Sequence, residues 1–236
     1  YSVKKDSSSY KTAKNLIKKI NNLNDAKLAI LFTDGLETNG EIFLKAFNNK
    51  ASHITISGGM AGDNAAFIKT YVFTHNGFCE ENAVCAVLYN PDLIINNHFS
   101  FGWEAIGKEF TVTKSIENVV YTIDNRSPID IYETYLGNNI ALQLPSTGIE
   151  FPLLVQRGDT KVARAVVSKD DKKRTLTFAG NIKTGDKIWI GYGNVNTILN
   201  NANKIYNSII STPIESIFVY SCMARKKLLG KDILNE

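Results

Sequence analysis

The chain has few of the residues that build metal sites. Its 236 residues include only three cysteines and three histidines: Cys79, Cys85, Cys222, His53, His75 and His98. The cysteines have no metal-ligand spacing, and the histidines lie far apart without an HxxxH pair. Because zinc centres take clustered cysteine and histidine ligands, we predict no metal and no cofactor. An odd number of cysteines without a disulfide framework favours reduced thiols, and therefore a cytoplasmic protein.

Long apolar runs and clustered charges are also missing. The longest apolar run, residues 83–89, has the length of a strand and is too short to cross a bilayer. The net charge is +4, but the lysines are scattered, and no basic stripe contains interleaved aromatic residues. We therefore predict no membrane insertion and no nucleic-acid partner. The chain starts at Tyr1, which is not a natural initiator, so we expect a fragment of a longer protein.

The most informative feature present is the sequence GGMAGD, residues 58–63, which follows a short apolar run predicted to be a buried strand. Adjacent glycines at a strand end tolerate positive φ and let another group approach the main chain. Exposed amides of Gly58 and Gly59 beside the Asp63 carboxylate suit a ligand that carries both a carboxylate and an amine. The alternative is a tight turn without a ligand. The glycine spacing differs from that of a dinucleotide fingerprint.

Hydrophobic periodicity predicts a β-α-β unit near the start of the chain. A helix over residues 13–20, capped by the serines at 7–9, precedes a strand over 26–32, a helix over 39–47 and a strand over 53–56. This order favours a parallel pair of strands. Shorter strand-like runs then predict an antiparallel meander, over residues 71–74, 83–88, 94–101, 109–115 and 119–123.

The rest of the chain predicts a second helix-and-strand region. Ser127-Pro128 opens a helix that Gly137 closes, and residues 138–148 have the irregular composition of a linker. Strands are predicted over 151–156, 162–167, 175–179 and 187–191, then a helix over 195–209 and a buried strand over 214–220. The last two elements faintly repeat the first helix and strand. We therefore predict a mixed α/β (α+β) fold of two related halves, with mixed sheets flanked by helices.

Five stretches together resemble one family. They are GGMAGD, residues 70–89, 101–137 and 164–194, and FVYSCMAR at 218–225. Their order and spacing resemble the FIST-domain proteins, the sensory modules of intracellular signal-transduction proteins. The resemblance implies a FIST N-terminal region over residues 1–139, incomplete at its start, and a FIST C-terminal region over 140–236, incomplete at its end. It also implies a small ligand, such as an amino acid, and a signalling output domain or partner.

The predicted site draws on both regions, since polar residues follow two strands that the pattern predicts to be buried. Its ligand-binding residues are Asp34, Gly58, Gly59, Met60, Gly62, Asp63, Ser221, Cys222 and Arg225. The glycine amides would bind a carboxylate, and Asp63 or Asp34 an ammonium group. The guanidinium of Arg225 is a second candidate for the carboxylate. The alternative for Arg225 is a surface arginine beside two lysines.

Two other function classes stay open. Cys222 would be a nucleophile only if a base activated its thiol, but no histidine lies near it in the sequence, and His53 could approach only through folding. The alternative is a small buried thiol, and we predict no catalytic residue. The third class is an interaction scaffold. Phe99, Phe101 and Trp103 alternate, so they lie in the core on one strand face or form a partner surface if exposed.

Overall fold

The computed structural model describes residues 1–64, 66–80, 82–210 and 213–235, and it divides the chain into two compact units, Tyr1–His98 and Phe99–Glu236. Both units combine sheets with helices, which confirms the predicted mixed α/β class. The boundary predicted between residues 139 and 140 for the two family regions stays a prediction.

The first unit is a four-stranded mixed sheet with two helices. Its elements are β1 (Ser2–Lys4), α1 (Ser9–Lys19), β2 (Leu28–Thr33), α2 (Gly40–Lys50), β3 (Thr55–Met60), β4 (Val72–Thr74), β5 (Gly77–Cys79) and β6 (Asn82–Leu88). The sheet order is β1-β6-β2-β3, and β4 and β5 form a separate hairpin. The β2–β3 pair is parallel, as predicted, and the other pairs are antiparallel.

Local signals and burial explain why these elements form. Ser8 caps α1 by accepting a hydrogen bond from the main-chain N–H of Lys11. The apolar face of α1, with Leu16 and Ile17, packs with α2 against one face of the sheet. β2 is one of the two inner strands, and five of its six residues are buried. Because β2 and β3 are parallel, their carboxyl ends lie together at one edge of the sheet.

The second unit is a seven-stranded antiparallel sheet with helices. Its elements are β7 (Trp103–Ile116), β8 (Val119–Ile123), α3 (Pro128–Leu136), α4 (Asn138–Leu142), β9 (Leu153–Arg157), β10 (Thr160–Arg164), β11 (Val166–Asp170), β12 (Thr175–Phe178), β13 (Lys187–Gly193), α5 (Val195–Ile209) and α6 (Met223–Leu229). The order is β10-β9-β13-β7-β8-β12-β11. The two edge strands, β10 and β11, are separated in the chain by Ala165 alone, so the sheet must curl into a half-barrel. Ile129, Ile131 and Tyr132 of α3 lie in its core.

Three predicted elements are wrong, and the strand predicted over 162–167 is divided at Ala165 between β10 and β11. Residues 94–101 and 214–220 form no strand, and most side chains of the second run are exposed. The faint helix-and-strand repeat is therefore not completed in the second unit. Residues 138–148 are not a linker: they form α4 and part of a 3-10 turn (Ser146–Ile149). Leu144 and Ile149 are buried there, because the irregular composition conceals apolar residues that pack into the core.

Candidate functional site

The loop after β2 is organised by the Asp34 carboxylate, which is 4% exposed. Its Oδ1 accepts hydrogen bonds from the main-chain N–H groups of Leu36 at 3.0 Å and Glu37 at 2.6 Å. Its Oδ2 accepts one from the hydroxyl of Thr70, and Thr70 Oγ1 accepts one from the N–H of Gly35 at 2.9 Å. A buried carboxylate requires such partners because an uncompensated charge is costly. Both oxygens of Asp34 therefore hold the loop.

β3 runs through the glycine pair, whereas the sequence predicted the strand to end before it. Gly58 has a φ of +132°, an extended conformation that L side chains rarely adopt. A Cβ atom there would lie 1.9 Å from the carbonyl oxygen of Leu31 in β2, whereas a Cβ atom on Gly59 would meet nothing within 4 Å. Gly58 is therefore required for strand pairing, whether or not a ligand binds.

The two glycine amides point in opposite directions. Ala61 donates its main-chain N–H to β2 at 2.8 Å. Gly59, two residues earlier in the strand, has the same orientation. On the side of β3 that faces away from β2, the carbonyl of Ile56 accepts a hydrogen bond from Asn97 Nδ2 at 3.3 Å. The N–H of Gly58, two residues later, points to the same side. Of the two amides predicted to bind a carboxylate, only that of Gly58 therefore faces away from β2.

The loop after β3 is organised by Asp63. Its Oδ2 accepts hydrogen bonds from the main-chain N–H groups of Ile68 at 2.7 Å and Lys69 at 3.2 Å. Burial raises the pKa of this carboxyl, but hydrogen bonds from the backbone of Ile68, Phe67 and Lys69 lower it, and the net pKa lies below its ordinary value. Asp63 is half-buried and Gly62 is exposed. An ionised carboxylate thus lies near solvent at this edge of the sheet.

These two loops approach each other closely at the carboxyl ends of the parallel strands. A Cβ atom on Gly35 would lie 1.8 Å from the carbonyl oxygen of Ala61, so only a glycine fits. Met60 lies on the same side, 46% exposed, and its Sδ would be 2.9 Å from a Cβ atom on Gly40. The predicted residues 34 and 58–63 therefore do lie together within the first unit.

Two residues at this edge were missed from the sequence. Thr70 holds Asp34, but a single threonine in a loop carries no signal of that role. Thr33 is 4% exposed, and its Oγ1 has no hydrogen-bond partner within residues 1–64, 66–80, 82–210 and 213–235. The sequence did contain a signal for Thr33, because it is a polar residue at the end of a run predicted to be buried. A hydroxyl in such a position needs a hydrogen-bond partner.

The C-terminal residues of the predicted site belong to the second unit. Ser221 and Cys222 are exposed and precede the short helix α6. Arg225 is half-buried, and its Nη1 donates to the carbonyl of Ser100 at 3.3 Å. The alternative of a buried thiol is therefore wrong for Cys222. That alternative does describe Cys85, where burial raises the pKa of the thiol to about 11.

The two sets of predicted residues lie in different units, so their meeting in one site stays a prediction. Within the described part of the chain, no group of three His, Cys, Asp or Glu side chains could hold a metal ion. None of the helices in that part is both long and apolar enough to span a bilayer.

Comparison with protein families identifies the class of this protein. The FIST N domain matches residues 2–126 and the FIST C domain matches residues 128–236. The chain therefore belongs to the FIST family, whose domains are sensory domains of signal transduction. The boundary between the two matches lies inside the second structural unit, because β7 and β8 pair with β13 and β12. Comparisons with curated proteins and with solved structures give no match.

Proposed function

We propose that this FIST protein is a cytoplasmic sensory module that binds a small ligand carrying a carboxylate and an amine, such as an amino acid. The proposal rests on the arrangement of the loops that follow β2 and β3, at the edge of the first unit where these strands end. Two loops meet there, and each is held by its own carboxylate. Parallel strands of α/β sheets commonly bind ligands at their carboxyl ends.

The side chains at this edge have distinct roles in the proposal. The outward N–H of Gly58 donates to the ligand carboxylate, and the ionised Asp63 accepts from the ammonium group. Asp34 keeps the loop in place, because both of its oxygens already accept hydrogen bonds. Met60 and Gly62 border the ligand. An output domain or signalling partner would read the change that binding produces.

In the second unit we propose Arg225 as a carboxylate-binding side chain in its own right. The Arg225 guanidinium offers a two-pronged match to a carboxylate, and Ser221 and Cys222 precede it in the chain. Its hydrogen bond to the carbonyl of Ser100 fixes one of its nitrogens.

A thermal-shift screen of the full chain against the twenty amino acids tests this function, followed by isothermal titration of any amino acid that raises Tm. Asp63→Asn keeps an oxygen that can accept the loop hydrogen bonds but removes the charge. We expect it to weaken binding at least about tenfold, since a hydrogen bond between charged groups contributes about 1.5–3 kcal/mol.

Asp92→Asn, in an exposed turn, is the matched control. If Asp63→Asn leaves the Kd unchanged, Asp63 is not in the site, and if no amino acid binds, the proposal fails.

We also propose that the module is not an enzyme. The cysteine-dependent alternative would use Cys222 with His53 as its base. The Nε2 of His53 lies 3.1 Å from the carbonyl oxygen of Leu23, a contact that requires this nitrogen to carry the proton. That ring nitrogen cannot then accept a proton from a thiol, so the alternative would have to use Nδ1 of His53 as the base.

An interaction scaffold is the second candidate function, and exposed apolar side chains favour it. Ile217, Phe218 and Val219 are all more than half exposed, and Phe99 is 75% exposed, which excludes Phe99 from a core strand. Trp103 instead anchors the start of β7 through its Nε1, which donates to Ile149. A scaffold would lose its partner on Phe218→Asp without losing amino-acid binding.

A further inference from the structure

Thr33, the last residue of β2, carries a buried hydroxyl that the fold does not use. Its Oγ1 has no hydrogen-bond partner within the described ranges. Thr12 is equally buried, at 4% exposure, but its hydroxyl donates to Ser8 and accepts from Asp6. Burying a hydroxyl without a partner costs free energy, so most such groups are satisfied. Thr33 is therefore an exception that needs an explanation.

Strand register fixes the side of the sheet on which the Thr33 side chain lies. Thr33 is paired with Ala83 of β6 and with Met60 of β3. Ala83 belongs to the core beneath α1 and α2, so Thr33 also faces the helices. The Sδ of Met60 lies beside Gly40, the first residue of α2. The Thr33 hydroxyl is thus at the end of the sheet where α2 begins.

The start of α2 offers a second hydrogen-bond donor. Asn39 caps the helix, since its Oδ1 accepts from Ile42 at 3.2 Å and its carbonyl from Phe43 at 2.9 Å. The N–H of Gly40, the first in the helix, donates to none of the residues that the structure describes. The first amides of a helix and its dipole together favour an anionic group. A buried hydroxyl and an amide thus offer donors at the positive end of an 11-residue helix.

We propose that the hydroxyl of Thr33 and the N–H of Gly40, rather than the N–H of Gly58, bind the carboxylate of the sensed ligand, and that Met60 covers this subsite until the ligand arrives. The proposal rests on the proposed function, because it assigns donors to the acid group of the same small ligand. Met60 suits a movable cover, since it is unbranched, adaptable and 46% exposed. The unsatisfied hydroxyl is then explained as a donor reserved for the ligand.

The first test needs no ligand. Thr33→Val replaces the hydroxyl by a methyl of similar shape, so the ligand-free full chain should gain about 2–4 °C in Tm. Thr12→Val is the matched control, equally buried but with two hydrogen bonds to lose, and it should lower Tm. If Thr33→Val lowers Tm as Thr12→Val does, the Thr33 hydroxyl has a partner in the fold and the proposal is overturned.

The second test is titration with the amino acid that gives the largest thermal shift, and with its carboxamide. Thr33→Val should weaken binding of the amino acid about tenfold, and Thr33→Ser, which keeps the hydroxyl, should restore it. The carboxamide keeps an accepting oxygen but no charge, so it should bind the parent more weakly than the acid does, and Thr33→Val should weaken its binding less than it weakens binding of the acid. Unchanged affinity in Thr33→Val overturns the subsite and leaves the proposed function intact. If none of the twenty amino acids binds the parent chain, both are overturned.

Discussion

Gly58 and Leu31 approach so closely that a Cβ atom on Gly58 would lie 1.9 Å from the carbonyl oxygen of Leu31. The two residues are paired in the parallel ladder of β2 and β3. Gly58 also has a φ of +132°, which adds backbone strain to any side chain placed there. Gly58 therefore has a structural role in strand pairing that Gly59 does not share, although both glycines were predicted to bind the ligand.

Gly58→Ala should destabilise the protein strongly, because the new methyl group would have to displace the β2 backbone. We expect a loss of about 2–4 kcal/mol in the free energy of unfolding, from strain and broken strand pairing. Gly59→Ala is the matched control, since its Cβ atom would meet nothing within 4 Å, and it should change stability by less than about 0.5 kcal/mol. Urea denaturation of both variants measures the difference, and equal losses would contradict the close approach.

Elements with local signals were predicted well. The serine cap and the proline of α3, with the glycine after it, predicted a helix that the structure gives as Pro128–Leu136. β8 and the bounds of α5 were also predicted from local patterns, but most of the predicted apolar face of α5 is not buried, and Tyr206 is 60% exposed. In each case the signal lies within a few residues, so it does not depend on how distant parts of the chain pack.

Elements that depend on distant partners were not predictable. Residues 26–32 and 214–220 have similar apolar patterns, but only the first run is paired on both sides in a sheet. In the site, the pattern located GGMAGD and Asp34 at one sheet edge. It could not show that Gly58 serves strand pairing or that Thr70 holds Asp34, because both facts depend on contacts between residues distant in the chain.

Asp34 and Thr70 should be energetically coupled, because Thr70 donates to the buried carboxylate and accepts from the adjacent main chain. A double-mutant cycle with Asp34→Ala and Thr70→Val should give a coupling energy of about 1.5–3 kcal/mol, the range for a hydrogen bond to a charged group. Chemical denaturation of the parent and the three variants measures it. Additive losses would show that the two side chains act independently.

Acid should release the loop that Asp63 holds. The folded pKa of Asp63 lies below its ordinary value of 3.8, because backbone hydrogen bonds outweigh the effect of burial. Its stabilising contribution is therefore fully present above the unfolded pKa, and it is lost as the pH falls through the lower folded pKa. Over that window the protection factors of the Ile68 and Lys69 amides, measured against the intrinsic exchange rate at each pH, should fall. Asp63→Asn should remove this pH dependence, and a carboxyl that titrates above 3.8 by NMR would contradict the assignment.

Iodoacetamide labelling distinguishes the sensor from the cysteine-dependent enzyme. A catalytic thiol must be activated by a base or a cationic environment, and its labelling then exceeds that of a simple thiol at neutral pH. Cys222 is exposed, and the nearby Arg225 cannot accept a proton. Without a base, the helix start and the basic residues after Cys222 can speed its labelling only modestly, so we expect Cys222 to label at pH 7 within a few-fold of N-acetylcysteine. Buried Cys85, whose pKa is raised to about 11, is the internal control that should label only when the chain unfolds. Labelling of Cys222 more than about tenfold faster than that of N-acetylcysteine would instead favour the enzyme, provided that His53→Ala abolishes the difference. Such a loss would identify His53 as the base that activates the thiol.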